Sequence, residues 1–340
     1  MVTLVDPHAA LPAEPHSVER IVADGRHNAF AAFAQWRGRY VLAFRKGTGH
    51  TSRDGDLVVL DSPDARSWEE VARFDTGGDD RDAQLVALGD RLWLYFNTLT
   101  DGLFAVYACS SADGRAWSAP QKVYRDGYIL WQPVEFAGRL YAGVHRPGAD
   151  DYRHVHLAVS DDGLGWDKIS AIREGRGESE TSLLFADNGR LTAFLRDQTR
   201  VGGAILEADP PYDRWAERSA GVHLSGQAVY TFDGVIYVFS RVFACDRPLA
   251  ASAPRSALVP PLDQGTMAYT YANGALAPYC LLSSLAGNHD SSYATAAREG
   301  DEMWVVFHRA AHAYAGAYTV EDAADLYLAR VPLQQVRDGG

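Results

Sequence analysis

Charged and aromatic residues recur in this 340-residue sequence at two places: where a short apolar run begins and where the next one ends. The beginnings carry His27 and Asn28, Arg81 and Asp82, Trp131 and Gln132, Glu178 and Glu180, Gln227, and His289, Asp290 and Tyr293. The ends carry Arg45 with His50 in the loop behind it, Asn97, His145 and Arg146, Arg196 and Asp197, Arg241, and His308 with Arg309. Arginine grips a carboxylate through a bidentate fork. Several arginines converging on one concave place, in a chain of formal net charge −12, imply an anionic ligand. Asp54, Asp82, Glu180 and Asp290 would then be paired with those arginines or would move protons. Trp131, Tyr293 and Tyr314 offer aromatic faces that suit a sugar.

The elements that bring these residues together are read from a repeat. Trp68, Trp117, Trp166 and Trp215 stand 49 residues apart, and each closes a turn, as in Ser111-Ala-Asp-Gly-Arg-Ala-Trp117. A fixed period of this size marks a repeat architecture. Within one period, β-branched and aromatic runs alternate with Gly, Asp and Asn turns: Arg81–Leu88, Leu92–Asn97, Phe104–Cys109 and Gln121–Tyr124. Four antiparallel strands per unit make a propeller blade. First strands beginning near His27, Arg81, Leu130, Glu180, Gln227 and Asp290 predict an all-β, six-bladed propeller of four-stranded antiparallel blades in a single domain, residues 1–340. The run Ser17–Val22 is expected to supply the last blade's missing strand and close the ring. In such a blade the start of the first strand and the end of the second share one face, so the charged residues meet at one mouth. Second strands end in Arg or His in five of the six units. The tryptophans are expected to pack turns and to take no part in a site.

Composition narrows the function. The acidic balance argues against a nucleic-acid partner, and no run of about 18 apolar residues predicts a membrane span. The N-terminus lacks a basic stretch followed by an apolar one, so the protein is expected to be cytoplasmic, or secreted if a signal has been removed. Cys109, Cys245 and Cys280 form neither a disulfide framework nor a zinc spacing. His27, His50, His145 and His289 lie far apart, so no metal and no cofactor are expected. His154 with His156, and His308 with His312, are read as structural or surface histidines.

The turns ending at Trp117 and Trp166 resemble the Asp-box of the sialidase (neuraminidase) superfamily, Ser-x-Asp-x-Gly-x-x-Trp, with one residue fewer between Asp and Gly. The resemblance spans roughly residues 17 to 331 and implies the six-bladed fold. It also implies a tyrosine nucleophile activated by a glutamate, an aspartate acid/base and three arginines on the substrate carboxylate. Carried over singly, Tyr293 in His289-Asp-Ser-Ser-Tyr293 resembles the nucleophile. Glu180 with Arg196 resembles the family's glutamate and second arginine, and Asp54 its acid/base, with Asp56 competing. The first arginine's place is taken by His27 in His27-Asn-Ala-Phe30, and Arg241 matches the third by position only.

Glycoside hydrolysis of an acidic or unusual sugar is the function this implies, with His27, Arg45, His50, Arg81, Asp82, Trp131, His145, Arg196, Arg241, His289 and Asp290 binding the carbohydrate or small anionic substrate. Hydrolysis predicts a hydrogen bond between Tyr293 and Glu180. A lyase acting on uronic-acid sugars would instead place a histidine in the pocket and tie Glu180 to an arginine. A non-catalytic carbohydrate- or protein-binding propeller would leave Tyr293 and Glu180 apart.

Overall fold

The computed structural model describes residues 10–147, 154–175, 177–243, 249–255, 264–283, 285, 290–310 and 323–335, and among them there is no α-helix. Strand β1 (Ser17–Val22) comes first. Strands β2 (His27–Trp36), β3 (Arg39–Gly47), β4 (Asp56–Ser62) and β5 (Glu69–Phe74) then pair in that order. So do β6 (Asp79–Leu88), β7 (Arg91–Thr100), β8 (Leu103–Ser111) and β9 (Gln121–Lys122), followed by β10 (Ile129–Phe136), β11 (Arg139–Arg146), β12 (His154–Ser160) and β13 (Asp167–Glu174). The next sheets are β14 (Glu178–Phe185), β15 (Leu191–Asp197), β16 (Ala204–Ala208) and β17 (Ala216–Ser219), then β18 (Ala228–Phe232), β19 (Val235–Phe243), β20 (Gln264–Ala272) and β21 (Ala275–Leu281). Last come β22 (Ser291–Glu299), β23 (Glu302–Ala310) and β24 (Ala324–Pro332), with β1 antiparallel to β24.

The arrangement is propeller-like. Six separate sheets were predicted and five are observed, because one parallel bridge between His27 and Ala324 fuses the N-terminal and C-terminal groups into a sheet of eight strands. Strand starts match the prediction or differ from it by at most two residues, and β9 stops at Lys122 rather than Tyr124. The core lies between neighbouring sheets. Val41, Ala43, Leu57 and Val59 interlock with Ala83, Leu92, Leu94 and Phe96 of the next sheet, which removes both apolar faces from water. The first strand of each group faces inward. Residues from β2, β6, β10, β14 and β22, and from β18 with the turn before it, line one axial cavity of about 210 Å³.

The tryptophan turns clip one sheet to the one before it. The Ser111 hydroxyl donates to Asp113 and accepts the Gly114 N–H, while Asp113 accepts the N–H groups of Arg115 and Ala116. Ser160 with Asp162, and Ser62 with Asp64, repeat the pattern. One residue in each turn must adopt the left-handed conformation: Gly114 at φ 82°, Gly163 at 83°, Ala65 at 54° and Tyr212 at 65°. At Gly163 a Cβ would stand 2.7 Å from the Trp93 ring of the preceding sheet. Gly138 shares the left-handed backbone, at φ 79°, but has open space around it.

Gly138→Ala should therefore cost only the left-handed penalty, about 1–2 kcal/mol. Gly163→Ala should add an overpacking cost of about 1–3 kcal/mol. Denaturant unfolding of the two variants checks the difference, and equal losses would contradict the clip.

Candidate active site

The inner strands share a local device. Register slips occur between Ala29 and Ala32, Arg81 and Gln84, Trp131 and Val134, Glu178 and Thr181, and Ser292 and Thr295. At four of these bulges, and just before β18, a residue lies at positive φ: Phe30 (54°), Asp82 (57°), Gln132 (31°), Tyr293 (51°, after Ser292 at 91°) and Gly226 (55°). A bulge re-aims a side chain out of the pleat, and non-glycine residues held at positive φ concentrate at functional positions. Phe30, Asp82, Gln132 and Tyr293 all line the axial cavity. Gly226 lies against the nucleophile candidate: a Cβ there would meet the Tyr293 ring at 2.8 Å.

Tyr293, half-buried, donates its hydroxyl to Glu180 Oε1 at 3.1 Å. Arg196 Nη1 binds the same oxygen at 2.5 Å, and the Ser179 hydroxyl donates to Oε2 at 2.6 Å. Burial pushes the Glu180 carboxyl upward, but the charges of Arg196 and His145 and the Ser179 hydrogen bond outweigh it and hold the group at about 2. Burial, then the Glu180 charge, raise the Tyr293 phenol well above its usual value. The pair is thus a neutral phenol on an ionised carboxylate, the arrangement in which a base can take the phenol proton as its oxygen attacks.

Guanidiniums surround this pair. Arg241 lies over the Tyr293 ring, its carbon 5.4 Å from the centroid, and donates to the Ser291 carbonyl at 2.8 and 3.0 Å. Arg255, on a segment hydrogen-bonded to Thr199, was not singled out from the sequence. Burial and the charges of Arg196 and Arg241 lower its pKa, and Glu180 and Tyr293 also act on it. Arg196 has Glu180 and Arg241 has Asp290 as ion-pair partners; Arg255 has none among the described residues.

Asp290 gathers the histidines. His50 Nδ1 lies 2.6 Å and His27 Nε2 3.0 Å from Oδ2; His308 Nε2 lies 3.3 Å and Arg241 Nη2 3.5 Å from Oδ1. Burial opposes ionisation of Asp290, but His50 and His308 bring its carboxyl well below the usual range. The wall behind is a second ionic cluster, in which Arg45 binds Asp79 at 2.5 Å and the Ser52 hydroxyl at 2.9 Å. Arg81 reaches Asp79 at 3.2 Å and Asp82 at 3.6 Å and covers the Phe30 ring at 4.6 Å. Burial, which outweighs the Arg81 charge, raises Asp82.

Two predicted roles are corrected by this geometry. Arg45 is 0% exposed with its guanidinium spent on Asp79, Ser52 and His27, so it braces the wall and meets no ligand. Asp54 sits in a surface turn, bound to Arg26 at 2.6 Å and to Thr48 through its N–H and hydroxyl at 3.1 and 2.9 Å. Burial raises the Asp54 carboxyl, but the hydrogen bonds from Ser52, Thr48 and Arg26 together outweigh it and hold the group well below the usual carboxylate range, whereas an acid must carry a proton. Trp131 is buried, donates to the Gln227 carbonyl at 3.0 Å and meets the Tyr293 ring edge-on. His145 is buried at the end of β11 near Glu180. His154 and His156 stack on each other among Tyr124 and Tyr128. His289, His312, Tyr314 and Cys245 lie outside the described residues.

The model of the BNR repeat-like domain matches residues 82–210. The Trypanosoma rangeli sialidase solved with the inhibitor DANA aligns with a TM-score of 0.65 at 14% identity, over 96% of this chain. In fold, the chain is sialidase-like. It spans 58% of that sialidase's length. The phage phi92 endosialidase is similar at a TM-score of 0.66 and 10% identity, covering 97% of this chain and 70% of its own. The Penicillium chrysogenum α-L-arabinanase complexed with arabinobiose is similar at 0.61 and 12%, covering 92% of this chain and 98% of its own. No curated protein matches the sequence. Within this sialidase-like fold, no helix of the described residues is long and apolar enough to cross a membrane.

The ion pair of Glu180 with Arg196 has a pH signature. The folded-state pKa is depressed from 4.5 to about 2, so the stabilisation is complete above 4.5 and is lost as pH falls toward 2. Glu180→Gln should lower the unfolding midpoint at neutral pH, and its difference from the parent should shrink through that window. Thermal melts across pH check this, and a pH-independent difference would refute it.

Proposed function

We propose that this chain is a six-bladed, single-domain propeller that hydrolyses glycosides of an acidic or otherwise unusual sugar. The contact of the Tyr293 hydroxyl with Glu180 beneath three guanidiniums carries the proposal. Six inner strands around one cavity support six blades, and the pairing of β1 on β24 supports closure of the ring by the N-terminal strand. The fused sheet is then two blades joined by one bridge.

Arg196, Arg241 and Arg255 bind the sugar's carboxylate or equivalent polar group. Glu180 takes the phenol proton while the Tyr293 oxygen attacks the anomeric carbon. A neutral phenol suits a substrate that carries negative charge at that carbon, because a carboxylate nucleophile would be repelled; sialidases are the known exception of this kind to paired carboxylates. The bond to the leaving oxygen breaks, and that oxygen takes a proton from the rim of the pocket. Asp82, Trp131 and Gln132 form the floor. One observation favours a second reading, β-elimination on a uronic-acid sugar: Arg196 occupies the same Glu180 oxygen that receives the tyrosine proton.

Turnover of a panel of methylumbelliferyl glycosides, comprising a nonulosonic acid, a uronic acid and a neutral sugar, tests the proposal. The acidic members should react. Glu180→Gln should lower kcat about 10²–10⁴-fold. Arg255→Ala should raise KM about 10–100-fold, the loss of one charged hydrogen bond. A difluorinated acidic sugar should leave an adduct on Tyr293, read by peptide mass. An unsaturated product with ultraviolet absorbance and no adduct would decide for elimination; no turnover, no adduct and no unsaturated product would exclude both chemistries.

A further inference from the structure

With Asp54 bound in its surface turn, hydrolysis needs another source for the proton on the leaving oxygen. We propose that His50 is the proton-transfer residue of this pocket and Asp290 its positioning residue, an inference that rests on the hydrolase reading above. His50 donates from Nδ1 to Asp290 at 2.6 Å. The hydrogen bonds around the same carboxylate fix the direction of this one. Arg45 can only donate, so its Nη1 contact to His27 Nδ1 at 3.4 Å makes that nitrogen an acceptor and leaves Nε2–H of His27 to donate to Asp290. An ionised carboxylate ringed by donors takes a proton-bearing Nδ1 from His50 as well. The opposite edge of that imidazole, with Nε2, is then the chemically active edge, the division of labour by which a buried carboxylate sets a histidine for acid–base work.

Position singles out His50 from the other partners of Asp290. The His27 and His308 side chains are 1% and 0% exposed, and that of Arg241 7%, whereas that of His50 is 32% exposed. His50 and Tyr293 both meet the Phe30 ring edge-on, at centroid distances of 5.3 and 4.8 Å. Phe30 is held there by its positive φ. The imidazole therefore touches the same ring as the nucleophile and is the partner of Asp290 most open to solvent. A leaving group departs toward solvent, so its proton donor belongs at the rim. Asp82 is the other acid of this pocket, but it lines the axial cavity and is bound by Arg81 and Asn97.

The step balances as follows. Glu180 accepts the Tyr293 proton, the phenol oxygen bonds to the anomeric carbon, and the glycosidic bond breaks with its electron pair going to the leaving oxygen. The imidazolium of His50 gives that oxygen the Nε2 proton. Water then attacks the anomeric carbon, its proton returns to His50, and the Tyr293 oxygen leaves with the proton held on Glu180.

The ligand atoms of His27, His50 and Asp290 also lie within 4.8 Å of one another, a spacing that a divalent cation could span. The donating Nε2–H of His27 and the nearby guanidiniums of Arg45 and Arg241 oppose that occupant.

The test compares kcat/KM on two glycosides of the same acidic sugar, methylumbelliferyl and methyl. The first leaving group departs without a proton and the second needs one. His50→Gln should lower the methyl glycoside about 10²–10⁴-fold and the methylumbelliferyl glycoside by less than about 10-fold. His50→Asn guards against a folding artefact, with both melting points compared with the parent. Asp290→Asn should show the same split, and Asp290→Glu should restore part of it. Equal loss on both substrates, or none on the methyl glycoside, overturns the role of His50 while leaving hydrolysis standing. Activity abolished by a chelator and restored by zinc overturns it in favour of a metal. A parent inactive on both glycosides, with no adduct on Tyr293, fails the hydrolase reading itself.

Discussion

The carboxylate of Asp290 is the point on which the mouth of this protein depends. It joins the start of β2 through His27, the loop after β3 through His50, the end of β19 through Arg241 and the end of β23 through His308. A buried charge with no partner would cost several kcal/mol, and the four donors together offset that cost. Satisfied in this way, the carboxylate ties side chains of four segments to one another, adding to the ladders that already pair β2 with β3 and β22 with β23. Asp79 has the same function one layer back, holding Arg45 and Arg81. Two ionic centres thereby set the rims of the pocket, and the apolar contacts between sheets set its depth.

Around these centres the backbone departs from the regular pleat where the side chains must point inward. Phe30, Asp82, Gln132 and Tyr293 each lie at positive φ, and the first two of them with Tyr293 come from three different sheet groups. Recurrence of one strained conformation at equivalent places means that the packing of the inner strands over-determines it. The effect is to gather a phenol, a carboxylic acid and an apolar ring at one level of the axis. The tryptophan turns perform the complementary task on the outside, where their serine and aspartate side chains satisfy the turn's N–H groups and leave the left-handed residue against the neighbouring sheet.

Much of this was legible in the residues. The 49-residue tryptophan spacing and the turn chemistry gave the sheets and their order, because turn formation and strand alternation are local properties. The partners Tyr293, Glu180 and Arg196 were found by their places at strand starts and ends. Arg255 was missed because it lies in an irregular segment with no period to flag it. Asp54 was misplaced because an Asp-Gly turn in sequence does not reveal which way its aspartate faces. Arg45 was expected to meet a ligand, yet its strand end is sealed by Asp79 at the start of β6 and Ser52 in the loop after β3.

The sequence alone determined the repeating all-β architecture and the face on which its polar residues collect, since both follow from short-range periodicity. Which histidine pairs with which carboxylate was decided only by the tertiary structure. His50 and Asp290 are 240 residues apart, and their 2.6 Å contact exists because successive sheets bring the last inner strand back beside the first. Spacing along the chain carries no record of such a contact. It arises from the ring of sheets as a whole, and from the cost of burying a carboxylate that would otherwise stand alone.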